Sequence, residues 1–241
     1  MAVTELWLVR HGESLGNAVA SRAEREGLDL IPLEVRDADV QLSPTGVEQA
    51  EALGTWLAEH RSAIDVFWVS PYERARQTLR LALGEQGPPV AVIVDERLRD
   101  RELGILDLMT SHGVESLQPG EAVRRRHLGK FYHRPPGGES WADVALRLRS
   151  FLRDVTDTEG TSAMVVAHDA VVMLFLYLVV PMDEAELLEF AAANTVLNAS
   201  VTHLTRAGSR WEMIEFSSVE HLLRVGAEVT VHPGHPDVQP D

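Results

Sequence analysis

Short apolar runs rich in β-branched residues, at 6–9, 66–69, 90–94 and 163–167, alternate along the chain with stretches of helical spacing. Strands of four or five residues separated by helices have one economical arrangement. They lie parallel, joined by crossover helices that cover both faces of the sheet. The helical stretches carry their own punctuation. Residues 44–59 follow Ser43 as N-cap and Pro44 at the first position, with Val47, Ala50, Leu53 and Leu57 on one face. Ser70-Pro71-Tyr72-Glu73 has the form of a capping box opening a helix that runs to about Leu83. Further helices are expected over 140–155, 169–180 and 183–193. The closing runs, 200–205 and 211–216, are linked through Ala207-Gly208-Ser209 and are expected to form a hairpin. The expected fold is therefore α/β, a three-layer sandwich with a mixed, mostly parallel sheet flanked by helices.

No linker-like stretch divides the 241 residues, of which 45% are hydrophobic, enough for one large core. A single domain over 1–225 is expected. Insertions at about 95–139 are dense in Gly, Pro and Arg, including Arg124-Arg125-Arg126 and Arg134-Pro135-Pro136-Gly137-Gly138, and are expected to cap one end of the sheet. Residues 226–241 hold Pro233, Gly234, Pro236 and Pro240 and are expected to form a poorly ordered tail, with His232 and His235 in it.

Composition excludes several functions. The chain has no cysteine, so disulfides, thiolate metal sites and cysteine nucleophiles are ruled out. A formal net charge of −15, from 37 acidic and 22 basic residues, repels nucleic acid and anionic membranes. No basic-then-apolar leader opens the chain, and its longest apolar stretch, 170–181, is too short to span a bilayer. A cytoplasmic protein without nucleic-acid or membrane partners is expected; the sequence leaves the oligomeric state open.

Sites in open α/β sheets lie beyond the carboxyl ends of the strands. Arg10 and His11 stand after the first strand, Ser70 and Arg74 after the second, the segment Arg97 to Gly104 after the third, and His168 with Asp169 after the fourth. Each of these alone has a bland explanation in packing or solvent exposure, but together they converge on one rim. Arginine forks match phosphate oxygens, and an imidazole between them stays unprotonated and nucleophilic. Phosphoryl transfer through a phosphohistidine, with a carboxylic acid to protonate the leaving alkoxide, is the chemistry this set suits.

Leu8-Val9-Arg10-His11-Gly12-Glu13-Ser14-Leu15-Gly16-Asn17 resembles the signature of the histidine phosphatase superfamily, in its phosphoglycerate mutase-like branch. Leu42 to Ala50, Ser70 to Thr78 and Val165 to His168 resemble its next blocks in the same order, so the likeness covers residues 3 to 217. The resemblance implies His11 as nucleophile, Arg10, Arg74, Asn17 and His168 around the phosphoryl group, no metal and no cofactor, and a small phosphorylated metabolite as substrate. The proton donor departs from the pattern. Asp100 stands four residues before Gly104, where the family usually has glutamate, and is the favoured acid. Glu102 and Asp169 are the alternatives, although Asp169 also reads as a helix N-cap. Mutases of the family carry a tryptophan where Gly16 stands and a tyrosine where Leu103 stands, which favours a phosphatase. Arg124, Arg125 and Lys130 lie where mutases hold a substrate carboxylate, which keeps mutase chemistry as the alternative. A non-catalytic phospho-ligand module and a metal hydrolase built on His11, His168, Asp169 and Glu102 are weaker readings.

Overall fold

The computed structural model describes residues 3–84, 87, 92–158, 160–208 and 210–232. Six strands form one sheet: β1 (Glu5–Arg10), β2 (Val66–Val69), β3 (Val92–Val94), β4 (Ser162–Ala167), β5 (Val201–Ala207) and β6 (Arg210–Ser218). Their order is β3-β2-β4-β1-β5-β6. The first four are mutually parallel, and β5 and β6 form the antiparallel hairpin. The α/β expectation holds, with a mixed and mostly parallel sheet. Val90 and Ala91, expected to open β3, lie outside the described residues.

Alternation along the strands builds the three layers. Leu6, Leu8, Val66, Trp68, Ala163 and Val165 face one side, against Val144, Leu148, Phe151, Val171 and Phe175. Those partners lie on α6 (Trp141–Asp157) and α7 (Asp169–Val179). Trp7, Val9, Phe67, Val69, Met164 and Val166 face the other side, against Leu53, Leu57, Ala75, Leu79 and Leu83. These belong to α2 (Pro44–His60) and α3 (Glu73–Leu83). Helices α1 (Leu15–Glu26), α4 (Ser111–Leu117), α5 (Pro119–Tyr132), α8 (Glu184–Ala193) and α9 (Glu220–Val225) complete the described helical elements.

Helix α6, expected to begin at Ser140, has Ser140 as its N-cap in a reciprocal capping box with Asp143. Of the expected caps, Ser43 matches, its Oγ accepting from the Gly46 amide at the start of α2. Two do not. The side chain of Ser70 is not the cap of α3, whose N-cap is Tyr72 without a side-chain bond. Asp169 is the first residue of α7 rather than its cap, which is His168. Helix α1 is unmarked by hydropathy because only Ala23 on it is buried, and its start is set instead by a capping box of Ser14 and Asn17.

Residues 226–232 do not form the loose tail that their composition suggested. Ala227 and Val229 pack on Ala52, Ala199 and Leu222. Gln49 Nε2 donates to the Glu228 carbonyl and to Thr230 Oγ1, both at 2.9 Å. The remainder of the expected tail, His235 included, lies outside the described residues.

The loop after β1 is pressed against the start of α2. A Cβ on Gly46 would lie 1.9 Å from the Glu13 carbonyl oxygen, and one on Gly12 would lie 2.6 Å from the Gly46 oxygen. Gly12 therefore serves contact between two backbone segments, which a Cβ would prevent. Gly46→Ala should destabilise the fold by about 2 kcal/mol, as forced overpacking does. Gly120→Ala, at a position with open space around it, should be neutral or slightly stabilising. Urea midpoints of the two variants check this; equal midpoints would show that the Gly46 contact is dispensable.

Candidate active site

Strand register assembles the site. Arg10 pairs with Ala167 across the parallel β1 and β4, so the next residue on each strand, His11 and His168, leaves the sheet at the same level. Their ring centroids are 5.2 Å apart. The Ser70 amide bonds the Val166 carbonyl at 3.0 Å, bringing the end of β2 alongside. A cavity of about 570 Å³ opens above these strand ends, with Arg10, His11, Asn17, Arg74, Asp100, Glu102 and Asp169 in its lining. His168, fully buried, lies beneath Asp100, with its Nδ1 3.2 Å from Asp100 Oδ2.

His11 is a neutral imidazole with its proton on Nδ1. Its Nδ1 lies 2.7 Å from the Gly12 carbonyl and must carry the proton, which leaves the lone pair on Nε2. Arg74 Nε donates to that nitrogen at 3.2 Å. Burial, then the charge of Arg74, then His168 and Arg10 hold this imidazole well below its ordinary range.

The two arginines are held by different means. Arg10 is buried, with its Nη groups on the carbonyls of Val196 (2.5 Å) and His232 (2.9 Å). Its Nε, also buried, has no partner. Burial lowers its pKa, and the charges of Asp169 and Asp100 offset that only in part. Arg74 is held by carboxylates, which outweigh burial and raise it. Nη1 donates to Asp37 O (2.6 Å) and Oδ1 (2.9 Å), and Nη2 to Asp37 Oδ2 (3.1 Å) and Asp100 Oδ2 (2.9 Å).

Asp100 sits at the centre. Burial would raise its carboxyl, but His168, Arg74 and the Arg101 amide overcome this and hold it well below the usual carboxylate range. A carboxylate at 3.2 Å from an imidazole nitrogen requires the proton on that nitrogen, so Nδ1 of His168 is its N–H. Its Nε2 then accepts the hydroxyl of Ser70 at 2.8 Å. Burial lowers His168, against the raising effect of Asp100. The Asp100 segment is fixed from behind, with Arg147 Nη2 donating to the Asp100 carbonyl and Arg99 and Arg147 both on Glu139.

Glu102 lies apart from that centre, accepting the Tyr72 hydroxyl at 2.9 Å. Asp169 stands at the first turn of α7 and lines the cavity near Arg10. Asn17 uses its oxygen to cap the Ser14 amide, so its NH₂ end is the one offered to a ligand. Of the basic residues expected to hold a substrate carboxylate, Lys130 lines the cavity, above the Trp141 ring. Arg124 and Arg125 are not in the lining, and Arg124 pairs with Glu121. Among the described residues, no three His, Asp or Glu side chains are arranged to hold a metal ion, so the metal-hydrolase reading has no site there. No described helix is long and apolar enough to cross a membrane.

Sequence reasoning missed four contributors. Ser70 orients His168, Thr78 accepts the Gly12 amide at 3.0 Å, Asp37 clamps Arg74, and His232 bonds both Glu13 and Ser21 at 2.6 Å. Ser70 and Thr78 were visible as members of the third block; Asp37 and His232 carried no signal.

The buried histidines set the response to acid. Unfolded histidine takes up a proton near pH 6.5, whereas His11, His168 and His221 remain neutral in the fold to lower pH. The unfolded state therefore binds more protons below that value, and stability falls as pH falls. Burial pushes His221 down to about 4, which corresponds to about 3 kcal/mol lost between pH 6.5 and 4. Urea midpoints should be level above pH 6.5 and decline below it, with a shallower decline in His221→Gln. An identical decline in that variant would remove His221 from the account.

The comparisons agree with this geometry. A model of the histidine phosphatase superfamily (branch 1) matches residues 6–218. A 2,3-bisphosphoglycerate-dependent phosphoglycerate mutase of Cytophaga hutchinsonii is 29% identical over 170 residues, 68% of this chain and 71% of that protein. A metal-independent phosphoserine phosphatase of Arabidopsis thaliana is 29% identical over 227 residues, 93% of this chain and 85% of that one. A mycobacterial glucosyl-3-phosphoglycerate phosphatase superposes with a TM-score of 0.71 at 25% identity, covering 90% of this chain and all (100%) of its own. The chain belongs to the histidine phosphatase superfamily, branch 1.

Proposed function

We propose that the protein hydrolyses a small phosphomonoester through a covalent phosphohistidine on His11. The observation that carries this reading is the unprotonated Nε2 of His11, hydrogen-bonded by Arg74 Nε, in a cavity lining that also holds Arg10 with its unpartnered, buried Nε–H. Arg10, Arg74 and the NH₂ of Asn17 supply donors for the phosphoryl oxygens, while the Nδ1–H of His168 holds Asp100 beside them. Nε2 attacks phosphorus while the ester P–O bond breaks, and the departing alkoxide takes a proton from Asp100. Water then gives its proton back to Asp100 and attacks the phosphohistidine; the N–P bond breaks and inorganic phosphate leaves.

Asp100 is the acid in this scheme because it lies between Arg74 and His168, whereas Glu102 faces Tyr72. Its low resting pKa requires a trigger. A bound phosphate dianion shares Arg74 with Asp100, and its negative charge drives the carboxyl upward toward protonation.

Hydrolysis is favoured over mutase transfer by the surroundings of Gly16. Gly16 lines the cavity where mutases carry a tryptophan, and a Cβ there would lie 3.3 Å from the Val40 side chain, which would have to give way. The match to the phosphoserine phosphatase also runs over more of the chain, 93% against 68% for the mutase.

Purified protein should release phosphate from members of a phosphometabolite panel. It should form no 2-phosphoglycerate from 3-phosphoglycerate, with or without 2,3-bisphosphoglycerate. His11→Asn should lose turnover and acid-labile protein phosphate together; full turnover in that variant would falsify the nucleophile. Asp100→Asn should slow esters with poor leaving groups by roughly a hundredfold or more and p-nitrophenyl phosphate much less. Glu102→Gln should cost less than about tenfold on both, and the reverse pattern would transfer the acid to Glu102.

A further inference from the structure

Arg74 has five N–H bonds, and in this structure all five are engaged: one by His11, three by Asp37 and one by Asp100. A phosphoryl group gripped by Arg74 must therefore take the place of an existing acceptor. The two carboxylates are unequally anchored. Asp100 has a side-chain exposure of 23% and is fixed by His168 and by the Arg101 amide. Asp37 is 45% exposed and stands in the short turn Asp37–Asp39 at the cavity rim. Rehydrating the more exposed group costs less, so Asp37 is the one that yields.

Once released, that carboxylate remains at the mouth, where Glu102 and Asp107 also line the cavity. These charges already interact, since burial followed by Asp37 raises the carboxyl of Asp107, with a further contribution from Glu102. Ile31, Leu33 and Leu108 supply the apolar wall beside them. Phosphate donors thus lie at the floor of the cavity and carboxylates at its mouth.

We propose that Asp37 is a displaceable counter-ion of Arg74 which the substrate phosphate evicts. The evicted carboxylate then selects phosphomonoesters whose leaving group donates hydrogen bonds over those that carry a second anion. The second clause rests on the phosphatase reading above; the first needs only phosphate binding.

Inorganic phosphate titrated calorimetrically into wild type, Asp37→Asn and Asp39→Asn separates the effects. Asp39 lies in the same turn, pairs with Arg36 and does not line the cavity, so its loss changes net charge equally without touching Arg74. Asp37→Asn should tighten phosphate binding on the order of tenfold, the scale of one charge-assisted contact. Asp39→Asn should stay within about twofold, as an exposed charge does.

Glycerol 3-phosphate and 3-phosphoglycerate differ by an alcohol in place of a carboxylate and form the matched substrate pair. The ratio of their kcat/KM values should favour the alcohol in wild type and fall on the order of tenfold in Asp37→Asn, a change that a merely structural role would not produce. Unchanged phosphate affinity in Asp37→Asn, or an equal change in Asp39→Asn, overturns displacement. An unchanged ratio overturns selection. Binding of phosphate with no hydrolysis of either ester sinks the phosphatase reading, and the selection clause with it, but leaves displacement to be judged on the affinities.

Discussion

The parallel pairing of β1 with β4 is the constraint on which the site depends. Because Arg10 lies beside Ala167, the chain has no freedom in where His11 and His168 emerge. A slip of one residue would turn each imidazole into the opposite helical layer. Burial on both faces makes such a slip expensive: Leu6 and Leu8 would exchange places with Trp7 and Val9, each packed against a different helix pair. Hydrophobic packing over the whole sheet thus fixes His11 against its neighbours.

The strands were legible because alternation and β-branching act locally, and the catalytic blocks were legible because they sit where those strands end. What escaped was held by polar contacts between residues far apart in the chain. The segment 226–232 is fixed by Gln49, by Asn198 through Thr230, and by Arg10 through the His232 carbonyl. None of these contacts leaves a periodic trace. The expectation of a loose tail rested on Pro233, Gly234, Pro236 and Pro240, which follow this segment, and composition says nothing of side chains elsewhere that hold it. Ser70 shows the same limit in a single residue. Its spacing to Glu73 matches a helix cap, yet its hydroxyl is engaged by a histidine 98 positions away.

The candidate acid was legible through spacing to a glycine. Asp100 was placed by its distance from Gly104, and the fold sets it between Arg74 and His168. Gly104 itself has φ of 56°, and a Cβ on it would lie 2.2 Å from the Pro136 carbonyl oxygen. A glycine required at that turn makes the count back to Asp100 meaningful, because it fixes where the segment must bend. Glu102, two residues on, could not be separated from Asp100 by alternation alone; Tyr72 separates them by taking its carboxylate.

Arg10 and Arg74 resolve an apparent conflict in a chain of net charge −15. A buried cation needs compensation, yet full compensation would leave nothing for a substrate. Carbonyl dipoles stabilise Arg10 incompletely, and one N–H stays unpartnered in the buried site. Full carboxylates stabilise Arg74, one of them on a half-exposed turn where water can receive it. The first arginine is ready for an anion at rest, and the second becomes ready only as the anion arrives. Since the carboxylate that Arg74 keeps is Asp100, the exchange that recruits the arginine to phosphate also weakens its hold on the proposed acid. Binding of the phosphoryl group and protonation of its leaving-group donor are in that way two consequences of one redistribution of charge around Arg74.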